Sequence, residues 1–373
     1  MALTLDGTNG IVSSGSITTQ SSSGVIFSDS SALTAAASPF VLKNRIINGA
    51  MVIDQRNAGA SVTPTVGVYG LDRWKMGATA SSKYSFQQNA GSVTPPAGFT
   101  NYLGVTSLSS YSITSTDAFL AFQYIEGYNI ADLAWGTANA KTITISFWVR
   151  SSLTGTFGGC LGNGNATRSY PFTYTISSAN TWEQKTVTIA GDTSGTWLTT
   201  TSIGIGLYLG FGVGSTYSGT AGAWAGAEYY GATGATSVVG TNGATFYITG
   251  VQLEVGTSAT PFERRMITTE LQLCQRYYVK AVKSAAEDRP FTLEGPTNGS
   301  IWYPTVNLFS PVSMRSTPTV TLIGTITYSN CSFESIASQL NGCRFQVAAS
   351  TTGGRLFANA SNTGAGYSLD SEL

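Results

Sequence analysis

Apolar and hydroxyl-bearing residues alternate along much of this chain. In "KTITISFWVR" (141–150), Ile143, Ile145, Phe147 and Val149 share one face, and Thr142, Thr144, Ser146 and Trp148 share the other. Successive side chains of a strand point to opposite faces, so the pattern predicts half-buried antiparallel strands. "EQKTVTIAG" (183–191) repeats it, with Val187 and Ile189 set against Thr186 and Thr188. "SIGIGLYLGFGVG" (202–214) alternates Ile203, Ile205, Leu207, Leu209, Phe211 and Val213 with a face of Gly204, Gly206, Tyr208, Gly210 and Gly212. Glycine weakens a strand, so the row implies either a bent strand or a close neighbour: a second sheet, another subunit or a flat sugar. In "FYITGVQLEV" (246–255) the phase slips, with Phe246 and Ile248 on one face and Val251, Leu253 and Val255 on the other. Such a slip would turn half the apolar set outward, and a β-bulge at Gly250 is predicted to absorb it.

The period changes after Thr260-Pro261, where proline ends the ladder. "MITTELQLCQRYYVKAV" (266–282) places Leu271, Cys274, Tyr278 and Val282 on one helical face, with Thr269 and Gln272 at capping-box spacing. "PTVTLIGTITYS" (318–329) and "CRFQVAAS" (343–350) then predict a second β region, and residues 359–373 read as a loose tail. Residues 1–40 are rich in Ser, Thr and Gly with thin apolar spacing, too thin to bury a core alone. They fit either a disordered tail or a shaft stabilised by neighbouring copies. The expected organisation is all-β: an extended segment 1–40, a β-sandwich 41–262, and a short helix plus C-terminal β domain 263–373. Asn48-Gly49 marks a turn near the start of the sandwich.

Charge adds a second layer. Charged residues are 10% of the 373, against about 25% in ordinary globular chains, and the formal net charge is zero. With no basic surplus to neutralise phosphates, nucleic acid is not an expected partner. No stretch approaches the roughly 20 apolar residues of a membrane helix. "MALTLDGTNG" has no basic region ahead of an apolar run, so synthesis in a cytoplasm is expected, with delivery by assembly or lysis. In so uncharged a chain Glu263, Arg264 and Arg265 stand together at the expected border. They are predicted to anchor that junction or a neighbouring subunit, since a guanidinium fork bonds carboxylates and carbonyls in fixed geometry.

Histidine is absent, which removes Ser-His-Asp and Cys-His catalysis and every histidine metal site. Cys160, Cys274, Cys331 and Cys343 form no C-x-x-C pair; Cys331 and Cys343 could close a short disulfide, while cytoplasmic synthesis favours buried thiols. No cofactor and no metal site is expected. Asp54, Asp72, Asp117, Glu126 and Asp132 match no catalytic spacing and read as turn formers or as partners of Arg56 and Arg73. No catalytic residue is assigned. "GTAGAWAGAEYYGATG" (219–234) sets Trp224, Tyr229 and Tyr230 among small residues. They are the candidate glycan-stacking residues, with the core or a subunit interface as the competing place for them.

"NRIINGAMVIDQR" (44–56), "YGLDRW" (69–74), "SFWVRSSLTGTFGG" (146–159), "NTWEQKTVTIAGDTSGTW" (180–197), "FYITGVQLEVGTSATPFERR" (246–265), "ELQLCQRYY" (270–278) and "PVSMRSTPTV" (311–320) together resemble tail-fibre-like virion proteins of phages. The similarity runs from about residue 40 to about residue 325; Ser313-Met314-Arg315 departs from the family's more usual Pro-Met-Arg. The resemblance implies a homotrimeric fibre or decoration protein whose central domain is a jelly roll similar to carbohydrate-binding modules. It also implies docking to other virion proteins through the N-terminal segment and a host cell-surface glycan as receptor. It supplies no catalytic set. The alternatives are an architectural head fibre, capsid decoration or tail adaptor without glycan binding, and a polysaccharide depolymerase, which needs two facing carboxylates.

Overall fold

The alternation is carried into strands wherever it was strict. The computed structural model describes residues 25–26, 32–33, 43–65, 67–285, 290–297, 305–349, 354–360 and 363–373. The chain forms two compact units, Met1–Lys43 and Asn44–Leu373. In the first, β1 (Val25–Ile26) pairs antiparallel with β2 (Ala32–Leu33). The remainder of the expected segment 1–40 lies outside the described residues.

The second unit opens with β3 (Val68–Tyr69), β4 (Lys75–Gly77), β5 (Tyr84–Gln88), β6 (Leu103–Ser107) and β7 (Ala118–Glu126). Next come β8 (Ile143–Ser151), β9 (Gly155–Asn163), β10 (Ser169–Ile176), β11 (Glu183–Ile189) and β12 (Ile203–Val213). The two-residue β13 (Ser218–Gly219) and β14 (Gly231–Ala232) lie in the loop before β15 (Thr245–Val255). A six-stranded sheet of order β10-β9-β12-β7-β4-β3 packs on a five-stranded sheet of order β11-β8-β15-β6-β5. Their ladders are antiparallel. Ile145 and Phe147 of β8, Phe246 and Ile248 of β15, Phe157 of β9, and Leu207 and Phe211 of β12 meet in one fully buried cluster. Phe246 lies between the sheets, with ring centroids 5.2 Å from Phe211 and 6.0 Å from Phe157. Each such side chain removed from water contributes about 1.5–3 kcal/mol.

The slip in β15 is a bulge. Thr249 lies opposite Trp148, but the next pair is Gln252 with Ser146, so two residues of β15 face one of β8. Gly250 sits there at φ +63°, a conformation that glycine adopts without strain. Phe246, Ile248, Val251 and Leu253 are thereby all fully buried in one core, while Val255 is 42% exposed.

After β15 come α1 (Ile267–Gln275), β16 (Tyr278–Val282), β17 (Thr292–Thr297), β18 (Thr305–Phe309), β19 (Thr319–Ile323) and β20 (Ile326–Ser329). The chain closes with β21 (Cys331–Gln339), β22 (Gly342–Ala349), β23 (Gly354–Ala360) and β24 (Gly366–Asp370). They form three three-stranded sheets, β16-β24-β19, β17-β23-β20 and β18-β22-β21, around Phe345, Val347, Tyr367 and Leu369. Three expectations need correcting here. The helix stops at Gln275, and Tyr278 and Val282 lie in a strand, because pairing with β24 outweighs the helical spacing. Met266 is the N-cap, without a side-chain cap bond, so Thr269 and Gln272 form no capping box. Residues 366–370 are no loose tail: β24 is the middle strand of its sheet. All four cysteines are buried thiols.

Candidate functional site

Strands β4, β7 and β12 place every second side chain on the outer face of the six-stranded sheet. Cross-strand register sets Tyr69, Lys75, Phe122, Tyr208 and Cys160 in one row. The Lys75 ammonium lies 5.3 Å from the centroid of Tyr69 and 5.8 Å from that of Phe122. Phe122 meets Tyr208 at 5.5 Å and Tyr124 at 5.1 Å. The 217–232 loop folds back over this face, bringing Tyr230 to 5.0 Å from Tyr208 and 5.2 Å from Tyr217. Tyr208 lies along its own strand, and a Cβ on Gly206 would stand 2.6 Å from its hydroxyl oxygen. The neighbour that the glycine row called for at this point is thus a ring of the same chain.

Phe122 and Tyr208 form a nearly buried floor, while Tyr69, Lys75, Tyr124, Tyr217 and Tyr230 are half-buried and Glu228 is exposed. Burial raises the hydroxyl of Tyr208 well above the usual phenol range, and it raises Tyr124 and Tyr230 as well. Tyr230 also donates to Glu228, which holds its proton further. These phenols therefore remain donors across the physiological range. A ring floor with a cation at one edge and a carboxylate at the other can stack the apolar face of a sugar and bond its hydroxyls.

The three aromatics singled out in the sequence do not form one site. Tyr229 and Tyr230 pack over the outer face just described. Trp224 joins Trp135, Trp197 and Tyr170 at centroid distances of 5.3, 5.5 and 5.2 Å, and donates from Nε1 to the Ala190 carbonyl. All three are half-buried. The sequence pattern placed Tyr208 on the glycine face and singled out neither Phe122 nor Tyr124. Tyr208 is the one large residue of the glycine face, and "AFLAFQYIE" is apolar on both faces, the signature of a strand covered on both sides.

The charge cluster also divides. Arg265, with its side chain 6% exposed, bonds Glu263 at 2.9 Å, reaches Glu270 at 3.5 Å, and donates to the carbonyls of Ile46 and Asn44. Glu263 accepts from the Asn44 amide. Both belong to a seam between residues 44–46 and 263–270, beside a cavity of about 200 Å³. Arg264 is exposed and stacks on Phe99 and Phe262 instead.

The acidic residues hold structure. Asp54 caps the amides of Asn57 and Gly59, and Asp72 accepts from the amide and side chain of Gln55. Asp117 accepts from Thr79, Tyr111 and Thr114. Its burial raises the carboxyl, yet these bonds outweigh that and hold it below the ordinary value. Glu126 is clasped by Arg276 and Tyr277, and Asp132 by Arg45. Among the described residues no group of three or more acidic or thiol side chains could hold a metal ion.

No family model matches the chain, and no curated protein matches it. Among solved structures it is similar to the enzymatically active domain of tailspike protein 4 of bacteriophage CBA120, at 11% identity and TM-score 0.31 over 58% of this chain. That match spans 22% of the tailspike chain. It is similar to a family 11 carbohydrate-binding module of a cellulosomal cellulase of Clostridium thermocellum, at 12% identity and TM-score 0.28 over 54% of this chain and 98% of that one. A carbohydrate-binding module solved with β-1,4-galactotriose matches at 10% identity and TM-score 0.29 over 57% of this chain and 99% of that one. At these identities and scores nothing about ligands or activity passes from those proteins to this chain.

Proposed function

We propose that this is a non-enzymatic receptor-binding component of a phage fibre, taking a neutral cell-surface glycan on the outer face of the six-stranded sheet. The observation that carries it is the row Tyr69, Lys75, Phe122 and Tyr208, overlaid by half-buried Tyr124, Tyr217 and Tyr230. A sheet in water has no need of so many rings outside its core. The sequence resemblance supplies the fibre, its homotrimer and its docking to other virion proteins through residues 1–40. The structural duties of Asp54, Asp72, Asp117, Glu126 and Asp132 support a binding role over a depolymerase. The same half-covered rings favour a second reading, in which this face is a subunit interface of an architectural fibre or decoration protein.

The test is titration of neutral oligosaccharides selected on a glycan array, with sedimentation of the same samples. Tyr124→Ala or Tyr230→Ala is expected to weaken binding about tenfold, or about 1.4 kcal/mol. Binding unchanged by both would remove the glycan site from this face. Loss of trimer mass in those variants would support the architectural reading.

A further inference from the structure

The opposite side of the sandwich carries rings as well, and there they are joined by guanidinium groups that have no carboxylate partner among the described residues. On β8 and β15, Phe147, Val149, Phe246 and Ile248 point into the core, so Trp148, Arg150 and Tyr247 stand on the outer face of the five-stranded sheet. Arg150 is paired across the ladder with Tyr247, and its guanidinium lies 5.5 Å from that ring. Buried Tyr247 packs on fully buried Tyr102, which meets half-buried Trp182 at 5.6 Å, so Trp182 is the ring of this group that solvent reaches. Farther along the same strands the bulge leaves Gly250 without a side chain. A Cβ on Gly250 would stand 2.6 Å from Phe99 and 3.2 Å from Trp148, so the two rings close over the bulge together. Exposed Arg264 stacks on the first of them, with its guanidinium 4.7 Å from the Phe99 centroid.

We propose that this face is a second binding surface, for a glycan that carries an oxyanion, either a uronate carboxylate or a sugar sulfate. Arg45, Arg56, Arg73, Arg168, Arg265 and Arg276 each have a carboxylate partner. Among the described residues Arg150, Arg264, Arg315 and Arg344 have none; Arg315 spends its guanidinium on the carbonyls of Thr201, Ser371 and Glu372, and Arg150 gives one N–H to the Asn180 carbonyl at 3.0 Å. The acidic side chains nearby are engaged elsewhere. Glu183 bonds Lys185 and the amides of Ser177 and Ser178; Glu254 bonds Thr260 and Gln252; Glu263 bonds Arg265. In a chain with so few charges, two cations on one ring-lined face complement an anion from outside. The planar fork takes a carboxylate or sulfate through two parallel bonds, and half-buried Trp148, Trp182 and Phe99 take the apolar face of the sugar. This surface lies on the other sheet from the neutral-glycan site and does not depend on it.

Calorimetric titration of the full chain with tetragalacturonate, its full methyl ester and a sulfated dextran oligosaccharide tests the proposal. At least one acidic ligand is expected to bind at least tenfold more tightly than the ester, and the preferred one tells carboxylate from sulfate. Raising salt from 50 to 300 mM is expected to weaken it several-fold. Arg150→Gln with Arg264→Gln is expected to cost at least tenfold, and the two Arg→Lys changes are expected to recover only part, since ammonium keeps charge without the fork. Unfolding curves of each variant confirm that the sandwich is intact. Equal binding of acid and ester, no binding of either acid, or tighter binding of a single-stranded oligonucleotide would overturn the proposal. So would acid binding that is lost in Tyr230→Ala and kept in the arginine variants, which would move the site to the six-stranded sheet.

Discussion

Asp72 is buried with its carboxylate turned to the amide and side chain of Gln55. Burial raises its pKa, and the Gln55 bonds and Arg56 offset only part of that, leaving it at about 6 against an ordinary 3.8. The folded chain therefore keeps a proton that the unfolded chain has already released. The extra stability is fully present below about pH 4, is lost as pH rises to about 6, and changes no further above that. Asp72→Asn cannot titrate. The stability gap between it and the wild type is expected to move by about 3 kcal/mol at most between pH 4 and pH 6.5. Urea unfolding across that range measures it, and a gap independent of pH would mean that Asp72 stays ionised throughout. The sequence offered Asp72 as a turn former or as a partner for Arg56 and Arg73. Those arginines instead pair with Asp370 and Glu372, about 300 positions away, a choice that only the finished topology makes. The outward rings of the candidate site were hidden for a related reason: Phe122 and Tyr208 become neighbours only when β7 and β12 pair.

At the scale of elements, legibility followed the strictness of the period. β8, β11 and β12 were read from alternation, and the bulge in β15 from its failure at one glycine. α1 was read too long, because its spacing continues through Tyr278 and Val282 while the partner strand that captures them lies almost 90 residues later. The bulge can be tested against an internal control. Gly250 and Gly234 both have positive φ, +63° and +78°. An added Cβ meets Phe99 and Trp148 at the first and nothing within 4 Å at the second. Gly234→Ala is expected to cost about 1 kcal/mol from backbone strain alone, and Gly250→Ala about 2–4 kcal/mol, since it must also push apart two rings. Denaturant midpoints of the two variants measure the difference. Equal midpoints would show that Phe99 and Trp148 move aside freely, and the ring arrangement over the bulge would not be a fixed platform.

At the scale of the whole molecule, Asn44–Leu373 form one compact unit with one large apolar core before position 262 and another after it. Polar links join those cores. Arg276 clasps Glu126 of the sandwich in two bonds of 2.9 and 2.6 Å, and Arg56 reaches both Asp370 and Glu372. Arg73, 1% exposed, pairs with Glu372, itself 3% exposed, and lies 3.5 Å over the Tyr277 ring. Arg315 donates to the carbonyls of Ser371 and Glu372. Composition could not announce this seam, because a charge-poor sequence shows few charges without showing that they meet. Buried pairs of this kind add little over an apolar substitute, but breaking one strands a charge, at a cost of about 3–5 kcal/mol. Glu372→Ala would leave Arg73 buried without its carboxylate. It is therefore expected to lower stability by that amount and to split the calorimetric trace, with the C-terminal sheets melting before the sandwich, where a single step is expected of the wild type. The apolar contacts made by Cys274 and Tyr277 against Ile47 and Ile53 are untouched by that change. A single transition at the wild-type temperature in Glu372→Ala would therefore assign the cohesion of the unit to those contacts and not to the charges.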